Sequence, residues 1–139
     1  MTTQKDEARE LADFVKYIEE TEPFAERLVN EFAFLQSNQN IAADPKATFE
    51  LWGRTAGWLQ ALAEIDPPDS VMRAHIKLTQ SYAYLAGSYL ALMQKDLPKA
   101  NSYLAMSQKI MSEITPLLEP MNRKFKQVMS PLTKLFKQK

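Results

Sequence analysis

The chain has no cysteine, a single histidine and three glycines in 139 residues. Without cysteine there is no disulfide, no thiolate nucleophile and no thiolate-ligated zinc or iron–sulfur cluster. One histidine and no Glu-x-x-His leave a ferritin-type di-iron bundle without its ligands, and argue against haem and structural zinc. So few glycines leave little material for β-turns or phosphate loops. None of Gly-x-Gly-x-x-Gly, Gly-x-x-x-x-Gly-Lys or Gly-x-Ser-x-Gly occurs, so phosphate cradling and a nucleophile elbow lack support. No apolar run approaches the ~18 residues that read as a membrane span. No run alternates apolar and polar residues between turn signals, as a half-buried strand would. The expectation is an all-α protein with no cofactor and no metal.

Acidic residues are also missing from one end. Residues 1–31 hold nine acids and four bases, a net −5, whereas residues 120–139 hold Arg123, Lys124, Lys126, Lys134, Lys137 and Lys139 and no acid, a net +6. The formal charge of the whole is zero. Such polarity is easiest to reconcile with the two ends lying side by side, where opposite charges guide pairing more than they stabilise it. The segment Met1 to Glu10 is polar and charged, unlike a signal peptide or an anchor. A cytoplasmic protein fits, as does the mature part of an exported protein whose leader has been removed. The length suits one domain, 1–139, able to bury a sound core.

What is present is helical periodicity punctuated by proline. A first helix is expected from about Gln4 to Gln36, with Leu11, Phe14, Ile18, Ala25, Leu28, Phe32 and Leu35 in one heptad phase. Pro23 falls inside it, and because the phase carries straight through, a kinked single helix is expected. Ser37 to Asn40 reads as a polar loop. Asp44-Pro45 reads as a cap and first helical residue of a second helix running to about Ile65. Asp66-Pro67-Pro68-Asp69 stops it, and a third helix follows to about Lys95, with Val71, Leu78, Tyr82, Leu85, Tyr89 and Leu92 on its seam. Asp96 caps a fourth helix, from Leu97 to about Ile114. Thr115-Pro116 marks a restart, and a fifth helix reaches about Phe136. Leu104, Met111, Ile114, Leu118, Met121, Phe125, Val128, Leu132 and Leu135 share one heptad seam, which only Ser107 breaks. Long helices with short loops stack antiparallel. The expected architecture is an up-and-down antiparallel bundle of four to five helices, with the acidic first helix beside the basic last one.

The stretch AGSYLALMQKDLPKANSYLAMSQKI places small and aromatic residues on one helix, a tight turn, then an early alanine on the next. Residues 85–111 thereby resemble one tetratricopeptide-like helical hairpin. No second copy stands at the family's 34-residue offset, so the segment is read as an ordinary αα-hairpin.

Two sets of residues are candidates for function. Gly53, Gly57, His75 and Tyr82 form a candidate pocket for a small ligand: the glycines lie at one rim of the second helix's apolar face, and His75 stands on the third helix's seam. Close approach of another helix or tolerated helix weakness would explain the glycines without a ligand, and a satisfied core position the histidine. The second set is Arg123, Lys124, Phe125, Lys126, Val128, Met129, Leu132, Lys134, Leu135 and Phe136, an apolar stripe with cations mostly opposite. It suits packing on the bundle, docking into a partner protein or lying on an anionic membrane. Clustered carboxylates such as Glu19, Glu20 and Glu22 read as solvated helix faces. Tyr84 stands with Arg73, Lys77 and Ser88 on the polar side, but neutral net charge and the lack of a reader motif argue against a nucleic-acid partner. The expected role is therefore a non-enzymatic interaction or scaffold module, with a protein partner or self-association. The alternatives are peripheral membrane binding through residues 120–137 and small-ligand binding near His75.

Overall fold

The heptad-spaced apolar residues fold into five α-helices among the described residues. The computed structural model describes the backbone of residues 4–137 and the side chains of residues 5–130, with no strand among them. Helix α1 spans Gln4–Ser37 and runs through Pro23 unbroken. The proline removes one backbone donor and crowds the carbonyl of Glu19. Buried Phe14 and Tyr17 on one side of it and Leu28, Phe32 and Leu35 on the other hold the helix on course. Ser37 belongs to α1 rather than to a loop. Asn38 Nδ2 donates to the Phe34 carbonyl at 2.9 Å, satisfying a C-terminal acceptor that the helix itself leaves open. A 3₁₀ turn, Gln39–Ala43, follows.

Helix α2, Pro45–Ala63, starts as its sequence suggests: the Asp44 side chain accepts from the Ala47 N–H at 3.1 Å. A 3₁₀ turn at Asp69–Val71 leads into α3, Met72–Met93. Lys95, at φ 59°, takes the left-handed conformation that reverses the chain after a helix. Asp96 caps α4, Leu97–Ser112, accepting from the Lys99 N–H at 3.1 Å. Helix α5 spans Ile114–Lys137. The ladder breaks at Glu113 because the Pro116 ring crowds the carbonyl four residues back, that of Ser112. The restart falls at Ile114, ahead of the expected Thr115-Pro116, since proline is tolerated in a first turn.

Helix α3 is the hub. Leu78, Tyr82, Leu85, Tyr89 and Leu92 are all buried on it. Helix α1 lies parallel to it in constant register. Tyr17 meets His75, Phe24 meets Tyr82 and Glu31 meets Tyr89, each pair 58 residues apart. Helix α2 runs antiparallel to α1, since Arg54 reaches Glu31 and Trp58 lies near Arg27. Helix α4 runs antiparallel to α3. Its Ser107, the one break in the heptad seam, is fully buried: its hydroxyl donates to the Ser81 carbonyl at 2.7 Å, and Ser81 Oγ donates to the Ser107 carbonyl at 2.8 Å. The seam needs a small polar residue there because α3 presents another one opposite. Helix α5 carries on past the start of α3 and packs on the first half of α1, where Phe14, Tyr17, Val71 and Met121 make a second small core. Lys124 Nζ lies 3.5 Å from Glu10 Oε1. The acidic and basic ends are thus neighbours, as their charges suggest, in an all-α bundle.

Candidate functional site

Each rung between α1 and α3 carries a polar tip. Tyr17 Oη lies 3.0 Å from His75 Nδ1, with the rings edge to face. Burial lowers the His75 pKa below its ordinary 6.5, opposed in part by a hydrogen bond to the Leu62 backbone. The ring is therefore neutral near pH 7. A ring N–H donating to the Leu62 backbone leaves Nδ1 to accept from Tyr17, whose own pKa burial pushes up to about 12. In the middle rung Tyr82 Oη donates to the Phe24 carbonyl. In the last, Tyr89 Oη and the Arg54 guanidinium both donate to Glu31, a carboxylate only 4% exposed. Burial first, and then Glu31, raise the Tyr89 pKa; burial raises that of Tyr82. Arg54 also lies 4.9 Å from the Trp58 ring centre. No buried side-chain polar atom among the described residues lacks a partner. The interior polar groups are committed to one another.

The four residues of the candidate pocket do not come together. His75 and Tyr82 are sealed between α1 and α3. Gly53 and Gly57 sit on the exposed outer side of α2, where an added Cβ would meet nothing within 4 Å. Neither close approach of a helix nor a groove explains them, because the apolar face of α2 stops short of that rim. The glycine that does admit a neighbour is Gly87 on α3: an added Cβ would lie 3.1 Å from the Tyr103 ring of α4.

The cationic candidates divide. Lys124 pairs with Glu10, and Arg123 lies 3.5 Å from Glu119 one turn earlier. Phe125 is half-buried in a cleft of about 150 Å³ with Phe14, Val15 and Ile18. Lys126, Val128 and Met129 face solvent, Val128 at 54% exposure. The side chains of Leu132, Lys134, Leu135 and Phe136 lie outside the described residues.

A further surface was absent from the candidates. Ala83, Tyr84, Gly87, Leu90, Gln94, Lys99 and Tyr103 line a groove of about 300 Å³ between α3 and α4. Its upper edge is Leu90, 44% exposed, and the same line of α3 continues to Ile76, 49% exposed. Met106 is exposed one turn beyond Tyr103 on α4. Tyr84, half-buried, packs on Tyr103 with ring centres 5.8 Å apart, so it belongs to this groove rather than to a polar face. The sequence does carry a signal for it. Neither α3 nor α4 contains a carboxylate, while Arg73, Lys77, Lys99 and Lys109 stand on them. Lys77 is engaged by Glu113 at 2.8 Å, and its ammonium holds that carboxyl below the usual range.

No family model, curated protein or solved structure matches this chain. No described helix is long and apolar enough to cross a membrane, and no described group of three His, Cys, Asp or Glu residues is placed to hold a metal ion.

Proposed function

We propose that this chain is a non-enzymatic helical interaction module that docks protein partners through apolar helix surface. One observation carries the reading: exposed Leu90 lines a groove between α3 and α4, and exposed Ile76 and Met106 stand further along the same two helices. Exposed apolar residues scattered singly need no explanation, but exposed apolar side chains at and beside a groove suit an interaction site. The commitment of His75 and Glu31 to internal partners points the same way, since neither is free to act on a substrate. A photo-cross-linking residue placed at Leu90 or Met106, in the cell that makes the protein, tests the reading. Discrete adducts from both positions, and none from the exposed control Gln60, are expected. The same pattern from all three would end the proposal.

A second reading rests on α5, where exposed Val128 and Lys126 suit an anionic membrane surface. The acids of α1 alongside, Glu10 among them, oppose it by repelling the same headgroups. Sedimentation with phosphatidylserine vesicles decides: equal partitioning of the intact chain and of a K126E/V128D variant would remove this reading.

A further inference from the structure

We infer that the α3–α4 groove receives an acidic, amphipathic helix from a partner protein. The inference rests on the interaction-module reading and adds the chemistry of what docks. Three observations converge on it.

The first is shape. On α3 Ala83, Gly87, Leu90 and Gln94 line the groove at helical spacing, and Gln80 and Ile76 continue the same line beyond it, so they form a strip rather than a hole. From Ile76 to Gln94 the strip runs about 27 Å at the rise of an α-helix, long enough for some five turns of a guest. Gly87 sets the depth: with no side chain, it lets Tyr103 close the floor by direct contact. Apolar anchors at i, i+3 or i+4, and i+7 of a guest helix fit such a strip.

The second is charge. The two helices that form the walls have no carboxylate of their own. Asp96, at the turn, is occupied in capping α4. Lys99 sits at the hairpin end of the groove, with Nζ 5.7 Å from the Tyr103 ring centre. Arg73 is exposed near the other end of the strip. Neither Lys99 nor Arg73 forms an ion pair among the described residues. A guest carrying Asp or Glu at both ends of its apolar stripe meets a cation at each end, and a basic guest is repelled by both.

The third is what the groove lacks for other guests. Its two tyrosines contact each other at a tilt rather than standing apart as a row of stacking platforms for successive bases of a nucleic acid. The acids of this chain are concentrated on α1, so a second copy offering that helix is the alternative occupant with matching charge.

The probe is a synthetic helical peptide of about five turns, with leucine at i, i+3 and i+7 and glutamate flanking the stripe. Its control has every glutamate replaced by lysine. Fluorescence anisotropy with the full chain should show binding of the acidic peptide that weakens as salt rises, and no binding of the basic one. L90E should abolish binding, and K99E should weaken it by about tenfold. Leu90 and Lys99 are both exposed, so these variants keep the fold, which circular dichroism checks. Equal affinity for the two peptides, no binding of either, or full binding by L90E would overturn the inference. So would a dimer in light scattering that L90E converts to monomer, since the guest would then be a second copy. Position-specific adducts at Leu90 without acidic-peptide binding would leave the module standing and remove only the acidic guest.

Discussion

Helix α3 meets two neighbours in opposite ways. Towards α1 it presents His75, Tyr82 and Tyr89, spaced seven apart, and the rings hold the helices at a distance bridged by edge-to-face ring contacts and polar tips. Towards α4 it presents Ser81, Gly87 and Ser88. There the backbones come close enough for hydroxyls to reach carbonyls, with Ser88 Oγ donating to the Ala100 carbonyl at 2.8 Å. Each contact satisfies its polar groups, but the reach of the side chain sets the spacing. The wide contact encloses polar groups and pairs them with one another, whereas the tight one brings two helices near enough to form an outward groove along their seam. The buried His75, Tyr82, Tyr89 and Glu31 are committed to internal partners, and the groove proposed as a docking surface is lined mainly by apolar and aromatic residues.

The sharpest way to break the comparison is to put bulk into the tight contact. Ser107→Leu at a position with no exposure should cost about 3 kcal/mol through overpacking and lost hydrogen bonds. Ser107→Ala, which loses only the hydroxyl, should cost about 1 kcal/mol. Urea unfolding checks both, and equal losses would mean that α4 shifts freely and the contact is not tight.

Shortening the wide contact should hurt less, and unequally by rung. Tyr89→Phe leaves Glu31 buried with Arg54 as its remaining donor. Hydrogen bonds to charged groups are worth more than neutral ones, so about 2 kcal/mol should be lost. Tyr82→Phe removes a donor from a helix carbonyl already engaged within α1 and should cost about 1 kcal/mol. The reverse order would show that Arg54 alone satisfies Glu31.

Much of this arrangement could be read in the residues. The five helices follow from apolar spacing, and Asp44 and Asp96 declare themselves as caps by standing before Pro45 and before Leu97-Pro98. Tyr82 and Tyr89 read as core because they share a seam with Leu78, Leu85 and Leu92. Ser107 could not be understood alone, since a hydroxyl in a core is tolerable only if its partner helix supplies Ser81. Glu31 read as one more acid of an acidic helix, although Tyr17, Phe24 and Glu31 keep the same seven-residue step as His75, Tyr82 and Tyr89. Gly53 and Gly57 fit tolerated helix weakness, since a glycine pair marks close approach only when a neighbour is aimed at it. The groove was hardest, because which face of α3 stays open depends on how far α1, α2 and α4 wrap it. Its trace was an absence: no carboxylate between Asp69 and Asp96.

The first rung of the wide contact should show itself as a slope against pH. His75 binds its proton less readily folded than unfolded, so between its lowered value and about 6.5 the unfolded chain holds more protons. Its contribution is complete above about pH 6.5 and is lost as pH falls through the folded value. Tyr17, Tyr82 and Tyr89 act in the opposite direction: their raised values keep the folded state protonated, so stability drops as pH climbs above about 10. Midpoints of urea unfolding across pH trace both arms. An acid arm unchanged by His75→Gln would assign that slope to the carboxylates instead.

The smallest effects come from the glycines and sharpen the comparison at a single methyl group. At Gly53 and Gly57 an added Cβ meets open space, and alanine restores helix propensity, so each substitution should stabilise by about 1 kcal/mol. At Gly87 the same gain is set against a methyl 3.1 Å from the Tyr103 ring. Tyr103 is half-buried and stacked beside Tyr84, so it yields only by disturbing that pair. Gly87→Ala should therefore fall short of the other two, at about zero or slightly destabilising. Combining it with Tyr103→Leu, which removes the ring, should recover the propensity gain. Thermal midpoints of the four variants are enough to tell. If Gly87→Ala stabilises as much as Gly53→Ala, the α3–α4 contact has slack, and the depth of the groove is not set by that glycine.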